Sequence, residues 1–139
     1  MSKQLNLFNQ ISFNINRSLS DQMAQSVKQS GLSRDEVLDR MNDLADRYGV
    51  RLLKGNGQSL TMATFEKWLN PNAKEYIPSP NALVVFCGAV EDLEPMRVLL
   101  SPLGGLIIEE QDVKLLQWAK HYQRAKKERI QMRRLEPEL

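Results

Sequence analysis

The side chains able to do covalent or metal chemistry are few in this chain. His121 is the only histidine and Cys87 the only cysteine. His121 lies among lysines and arginines with no carboxylate positioned beside it in sequence. Cys87 closes the apolar run Leu83-Val84-Val85-Phe86-Cys87, the setting of a small buried hydrophobe. Neither His-Glu-x-x-His nor Cys-x-x-Cys occurs, so no metal-ligand spacing is present. The Gly55-Asn56-Gly57 stretch lacks the Lys-Ser/Thr pair that completes a phosphate-binding loop. A carboxylate pair assembled across the fold is the one catalytic arrangement left open, and an enzyme is not expected. No metal, cofactor or small-molecule ligand is implied.

Charge points elsewhere. The total is +2. Between Val113 and Arg134, however, eight cations stand against Glu128 alone, a net +7 that leaves −5 for the remainder. Such asymmetry suits either a polyanion-facing segment or a solvated helix. Within that run, Arg124, Lys126, Lys127 and Arg129 are the candidates for phosphate or partner contact. A dimer-forming helix is the alternative use of the same segment.

The elements that position these groups are helical. Thr61 to Asn70 reads as one short helix: a hydroxyl cap at Thr61, a buried back of Phe65, Trp68 and Leu69, and Pro71 as its stop. Met62, Ala63, Glu66 and Lys67 then point away from the back face. Upstream, Leu19, Met23 and Val27 recur every four residues in a first helix opened at Ser18 or Ser20 and stopped by Gly31. Ser33 and Glu36 form a capping box for a second. Its buried stripe is Val37, Leu38, Met41, Leu44, Ala45 and Tyr48, and Gly49 ends it. Arg51 to Ser59 reads as a loop or small hairpin. A helix from about Pro80 to Cys87, apolar nearly all round, should be the most buried element. A fifth follows over Glu91–Leu100 with Pro95 in its first turn. The last starts near Glu109 or Asp112, packs its first half through Leu115, Trp118 and Tyr122, and projects its basic half.

Two segments read as extended. Ile11, Phe13 and Ile15 alternate with Ser12, Asn14 and Asn16, the period of a short N-terminal strand that needs a partner. Leu106-Ile107-Ile108 is the partner inside the chain, and the same strand of a second subunit is the alternative. The expected organisation is an N-terminal arm over 1–16, a helical domain over 17–103 with an insertion at about 51–59, and a strand plus basic helix over 104–139. The chain is long enough for one domain. No run approaches the roughly 18 apolar residues of a membrane span. The N-terminus has no signal-peptide pattern. A soluble, cytoplasmic protein is expected, without membrane partners.

Three pieces carry a resemblance. Gly31-Leu32-Ser33-Arg34-Asp35-Glu36-Val37-Leu38, Thr61-Met62-Ala63-Thr64-Phe65-Glu66-Lys67-Trp68, and Ile77-Pro78-Ser79-Pro80 leading into Leu83–Val90 resemble the lambda-repressor-like helix-turn-helix family. This is the Cro/repressor, or xenobiotic-response-element, type. The resemblance spans about Arg17 to Leu100. It implies a mainly α bundle of about five helices that reads double-stranded DNA with the helix at 61–70. Carried across, Met62, Ala63, Glu66 and Lys67 would face bases: Lys67 donating to guanine, Met62 or Ala63 touching a thymine methyl, Glu66 accepting from cytosine or simply solvated. Arg34, Thr61, Thr64 and Asn70 would hold phosphates. A homodimeric transcriptional regulator of phage or prophage type is the function implied. One departure stands out: Ser33 and Thr61 are 28 positions apart, much farther than in the family. A helical interaction module, adaptor or antitoxin-like, that keeps the bundle without reading DNA is the alternative.

Overall fold

The computed structural model describes residues 12–54 and 59–138. They form six α-helices: α1 (Asn16–Ser30), α2 (Arg34–Tyr48), α3 (Met62–Trp68), α4 (Pro80–Val90), α5 (Glu94–Leu100) and α6 (Glu110–Leu135). Short 3₁₀ turns follow α5 and α6. The chain divides into two compact units, Met1–Leu106 and Ile107–Leu139. The mainly α class expected from the periodicity is what the chain adopts.

In the first unit, α4 is the central element. It packs on α2, α5 and α1, while α1 also packs on α5 and α3 on α2. Its Ala82, Leu83, Phe86, Cys87, Ala89 and Val90 are buried, because a helix apolar on nearly every side must be covered on most of them. Val84, on the side left over, is 57 % exposed. Phe65 and Phe86 meet at the centre, with ring centroids 6.2 Å apart.

The helix boundaries have local causes. The Ser33–Glu36 capping box is formed in both directions, Glu36 N–H to Ser33 Oγ at 3.1 Å and Ser33 N–H to Glu36 Oε1 at 3.2 Å. Gly31 and Gly49 close α1 and α2 in the left-handed conformation, which glycine reaches without steric cost. Ser79 caps α4 and Pro80 fills its first turn, where a missing N–H costs nothing.

Among the described residues the expected strands do not form. Ile11 and the residues before it lie outside the described residues. In the part that is described, the Asn14 N–H donates to Ser12 Oγ and the Asn16 N–H to Asn14 Oδ1, so the chain turns rather than extends. Phe13 is exposed. Short polar side chains that bond their own backbone two residues on favour turns over ladders. That turn leads straight into α1, so the helix begins at Asn16 and not at Ser18 or Ser20. Residues 105–109 likewise make no strand among the described residues, since a three-residue run has no ladder without a partner.

The segment between α2 and α3 is held at both ends. Leu52 and Leu60 are buried in the core and Leu53 packs against it. Residues 52–54 form bends and not a strand, and Gly55 to Gln58, the tip of the expected loop or hairpin, lies outside the described residues.

Among the described residues, no helix is long and apolar enough to cross a membrane.

Candidate nucleic-acid interface

At seven residues, α3 is far below the dozen or so that an isolated helix needs to be marginally stable in water. Its position must come from the rest of the fold. Three devices supply it. Thr61 is extended and its Oγ1 accepts the Thr64 N–H at 3.4 Å, capping the first turn. Phe65, Trp68 and Leu69 are buried as the periodicity requires. The third device carries no local sequence signal. Asn42, midway along α2, holds the backbone of Leu60 from both sides. Its Nδ2 donates to the Leu60 carbonyl at 3.1 Å, and its Oδ1 accepts the Leu60 N–H at 2.9 Å. One amide side chain thus satisfies a donor and an acceptor on the segment entering α3. An asparagine on a half-buried helix flank is the only hint of it in the sequence.

With its back face locked, α3 presents Ala63, Glu66 and Lys67 to solvent, and exposed Asn70 follows on the same side. Met62 is placed differently. It is half-buried and packs against the core, so only part of it is available to a ligand. Thr64 is half-buried too, its Oγ1 lying 3.2 Å from that of Thr61. Asn70 Oδ1 accepts the Asn72 N–H at 3.0 Å, which leaves its amide N–H groups as the donors for a phosphate.

The structure brings Arg34 and Glu66 together. Arg34 Nη1 lies 4.0 Å from Glu66 Oε1, both side chains about half exposed. This is a loose ion pair of small energetic worth, but it joins the start of α2 to the front of α3. Lys67 has a neighbour the sequence did not indicate: its Nζ sits 4.4 Å above the centre of the Tyr76 ring. A cation over an aromatic face is held at modest cost to its solvation, so Lys67 is directed. The N-terminus of α2 is less open to an anion than its dipole alone suggests. Asp35 and Glu36 occupy the first turn, and Ser33 and Glu36 complete the capping box. Any phosphate contact here belongs to the Arg34 guanidinium.

Arg34 and Lys67 therefore share their surface with Asp35, Glu36 and Glu66, and this face carries no excess of positive charge. No family model, curated protein or solved structure matches the chain. The site must be read from its own chemistry. The surface around α3 has donors and acceptors in fixed places and little net field. It is suited to discriminating between hydrogen-bonding patterns and poorly suited to attracting a polyanion from a distance.

In the second unit the balance is reversed. Arg124, Lys126, Lys127 and Arg129 are all exposed on α6, but they do not form one patch. At 3.6 residues per turn, Arg124 and Lys127 fall on one side and Lys126 and Arg129 on the opposite one. Trp118 and Tyr122 stack on each other, centroids 5.5 Å apart and planes at 18°. They are 63 % and 52 % exposed. The first half of α6 was expected to be covered through these aromatics, yet no residue of the helix is buried.

The Cys87 thiol is held in its neutral form. Burial pushes its thiol up from near 9 to about 11; the Asp92 carboxylate adds to the shift and a hydrogen bond with the Met96 backbone opposes it. The neutral thiol is neither nucleophile nor ligand at physiological pH. Among the described residues no three His, Cys, Asp or Glu side chains are grouped to hold a metal ion.

Proposed function

We propose that this chain is a sequence-specific double-stranded DNA-binding regulator that reads the major groove with α3, in the manner of the lambda-repressor-like helix-turn-helix. One observation carries the reading. A helix too short to exist alone is clamped by Asn42 and by its buried back so that Ala63, Glu66, Lys67 and Asn70 share one outward face. A helix N-terminus with fixed side chains is what base-edge recognition requires. In this reading Lys67, aimed by Tyr76, donates to guanine acceptors. Ala63 lies against a thymine methyl, and Glu66 accepts from cytosine when it leaves Arg34. Met62 contributes only its exposed part. Arg34, Thr61, Thr64 and Asn70 take phosphates. Binding as a homodimer to paired half-sites would double the few contacts that one short helix offers. A regulator of this kind acts in the cytoplasm and needs no cofactor.

Selection of binding sites from a random duplex pool at physiological salt tests the proposal. A recovered site, with symmetry if the chain binds as a dimer, is the expected result. Lys67→Ala should then reduce discrimination at one base pair by about 1–3 kcal/mol and leave non-specific affinity almost unchanged. If no duplex sequence is enriched even at low salt, the proposal fails.

A second reading is a helical interaction module. It is favoured by a mostly apolar cleft of about 290 Å³ lined by Val84, Cys87, Gly88, Leu93 and Met96 together with Glu91 and Asp92, which would accept an apolar side chain from a protein partner. Val84→Glu should abolish such an association while leaving duplex selection intact.

A further inference from the structure

Over Lys120–Arg134 α6 exposes seven of its eight cations, Lys120, Arg124, Lys126, Lys127, Arg129, Arg133 and Arg134, and among the described residues none is in an ion pair. Their order round the helix is informative. Advancing about 100° per residue, Lys120, Arg124, Lys127 and Arg134 fall within one arc. Lys126, Arg129 and Arg133 fall within a second arc on the opposite side. The sectors between hold Ala125, Glu128 and Met132 on one flank, Gln123 and Ile130 on the other. The helix is thus basic on two opposed faces, with no broad apolar face.

Each kind of polyanion places its own demand on such a helix. An anionic membrane surface needs an apolar face to insert and cations to flank it, and would leave one of the two arcs pointing into water. An acidic protein surface engages one side. Only a groove with charged walls engages both. The major groove of B-form DNA is about 12 Å wide, admits an α-helix and is bordered by phosphates on each side. The major groove of A-form RNA is too narrow for side chains to enter. We infer that α6 lies along the major groove of duplex DNA over Lys120–Arg134, with each cationic arc contacting the phosphates of one wall. That segment is about 21 Å long at 1.5 Å per residue, the span of about six base pairs. The contact is independent of base sequence and supplies the attraction that the α3 surface lacks. It stands on the charge pattern of α6 and does not depend on whether α3 reads bases.

The test is binding of the full chain to a random-sequence 20-base-pair DNA duplex, followed by fluorescence anisotropy across a potassium chloride series. Each phosphate contact contributes about −0.9 to the slope of log affinity against log salt, so seven contacts give about −6. Two variants divide the charge: K120Q/R124Q/K127Q/R134Q and K126Q/R129Q/R133Q. Glutamine keeps comparable helix propensity, and far-UV circular dichroism verifies that the helix is retained. The first variant should make the slope shallower by about 3–4 and the second by about 2–3. Loss of slope from one variant and not the other means single-face contact and overturns the inference. So does tighter binding to an RNA duplex of the same length, or DNA affinity unchanged by both variants while phosphatidylserine vesicles sediment the chain. Should either variant unfold, the unsubstituted chain still decides: a slope shallower than about −3 is incompatible with contact along both arcs. Because the probe has no fixed sequence, the outcome is separate from that of Lys67→Ala on a selected site.

Discussion

Two serines six positions apart on α1 show how far a side chain's worth depends on what it meets. Ser20 and Ser26 are both buried. Ser26 Oγ donates to Asp92 Oδ2 at 2.7 Å and accepts from Gln22 Nε2 at 3.2 Å, linking α1 to the segment that opens α5. Ser20 Oγ has no hydrogen-bond partner. Removing a buried hydroxyl that is paired leaves its partner unsatisfied, whereas removing one that is unpaired relieves a desolvation cost. Ser26→Ala should therefore destabilise the fold by about 1–2 kcal/mol. Ser20→Ala should stabilise it by about 0.5–1 kcal/mol, helped by the better helix propensity of alanine. Urea denaturation of the two variants gives opposite shifts in midpoint if the pairing is as described. The periodicity of Leu19, Met23 and Val27 places the face of α1, but both serines look alike to it, and Ser20 even resembles a cap.

At the level of elements, the decisive arrangement is the hold of α2 on the entry to α3. The connecting segment separates the two helices by more residues than a tight turn needs, and loop-closure entropy grows with that length only slowly. Burial of Leu52 and Leu60 on its flanks and the two Asn42 hydrogen bonds absorb the difference. Asn42→Ala strands the N–H and the carbonyl of Leu60, at a cost of about 1–3 kcal/mol. Hydrogen exchange should show a matching loss of protection over residues 60–65, with α1 and α5 little changed. A uniform loss over the whole bundle would instead mean that Asn42 contributes only global stability. The helices themselves, the Ser33–Glu36 box, the Thr61 cap and the proline-led α4 were all legible, because each is written within four residues of chain. The Asn42 clamp spans 18 residues and has no such signature.

Across the molecule, charge and polar geometry are divided between the two units. The first carries mixed charge and the short clamped helix α3; the second carries a cationic surface with no ion pair among the described residues. Affinity for a polyanion comes chiefly from counterion release, and specificity from base edges, so under the proposed function the division would serve two separate tasks. Cys87 gives global stability a pH dependence. Its folded pKa, about 11, lies above its ordinary value near 9. The unfolded chain then releases its proton first as the solution becomes alkaline. The contribution from keeping the thiol neutral is complete below about pH 9 and is lost as pH rises through about 11. Urea midpoints should fall across that interval in the native sequence and fall less in Cys87→Ala.

What this sequence determined by itself is the local inventory: five helices over the first unit, a basic sixth, the caps at Ser33, Thr61, Gly31 and Gly49, and the back face of the helix at 61–70. Hydrophobic period and capping chemistry act over three or four residues, and the chain states them directly. Tertiary structure decided the rest. Over residues 12–15 it made the expected N-terminal strand a turn leading into α1, since polar side chains bonded their own backbone. It drew Met62 partly into the core, set Lys67 over Tyr76, and brought Arg34 to Glu66. Each of these depends on which distant residue arrives within a few ångströms, and that is settled only when the core closes around Phe65 and Phe86.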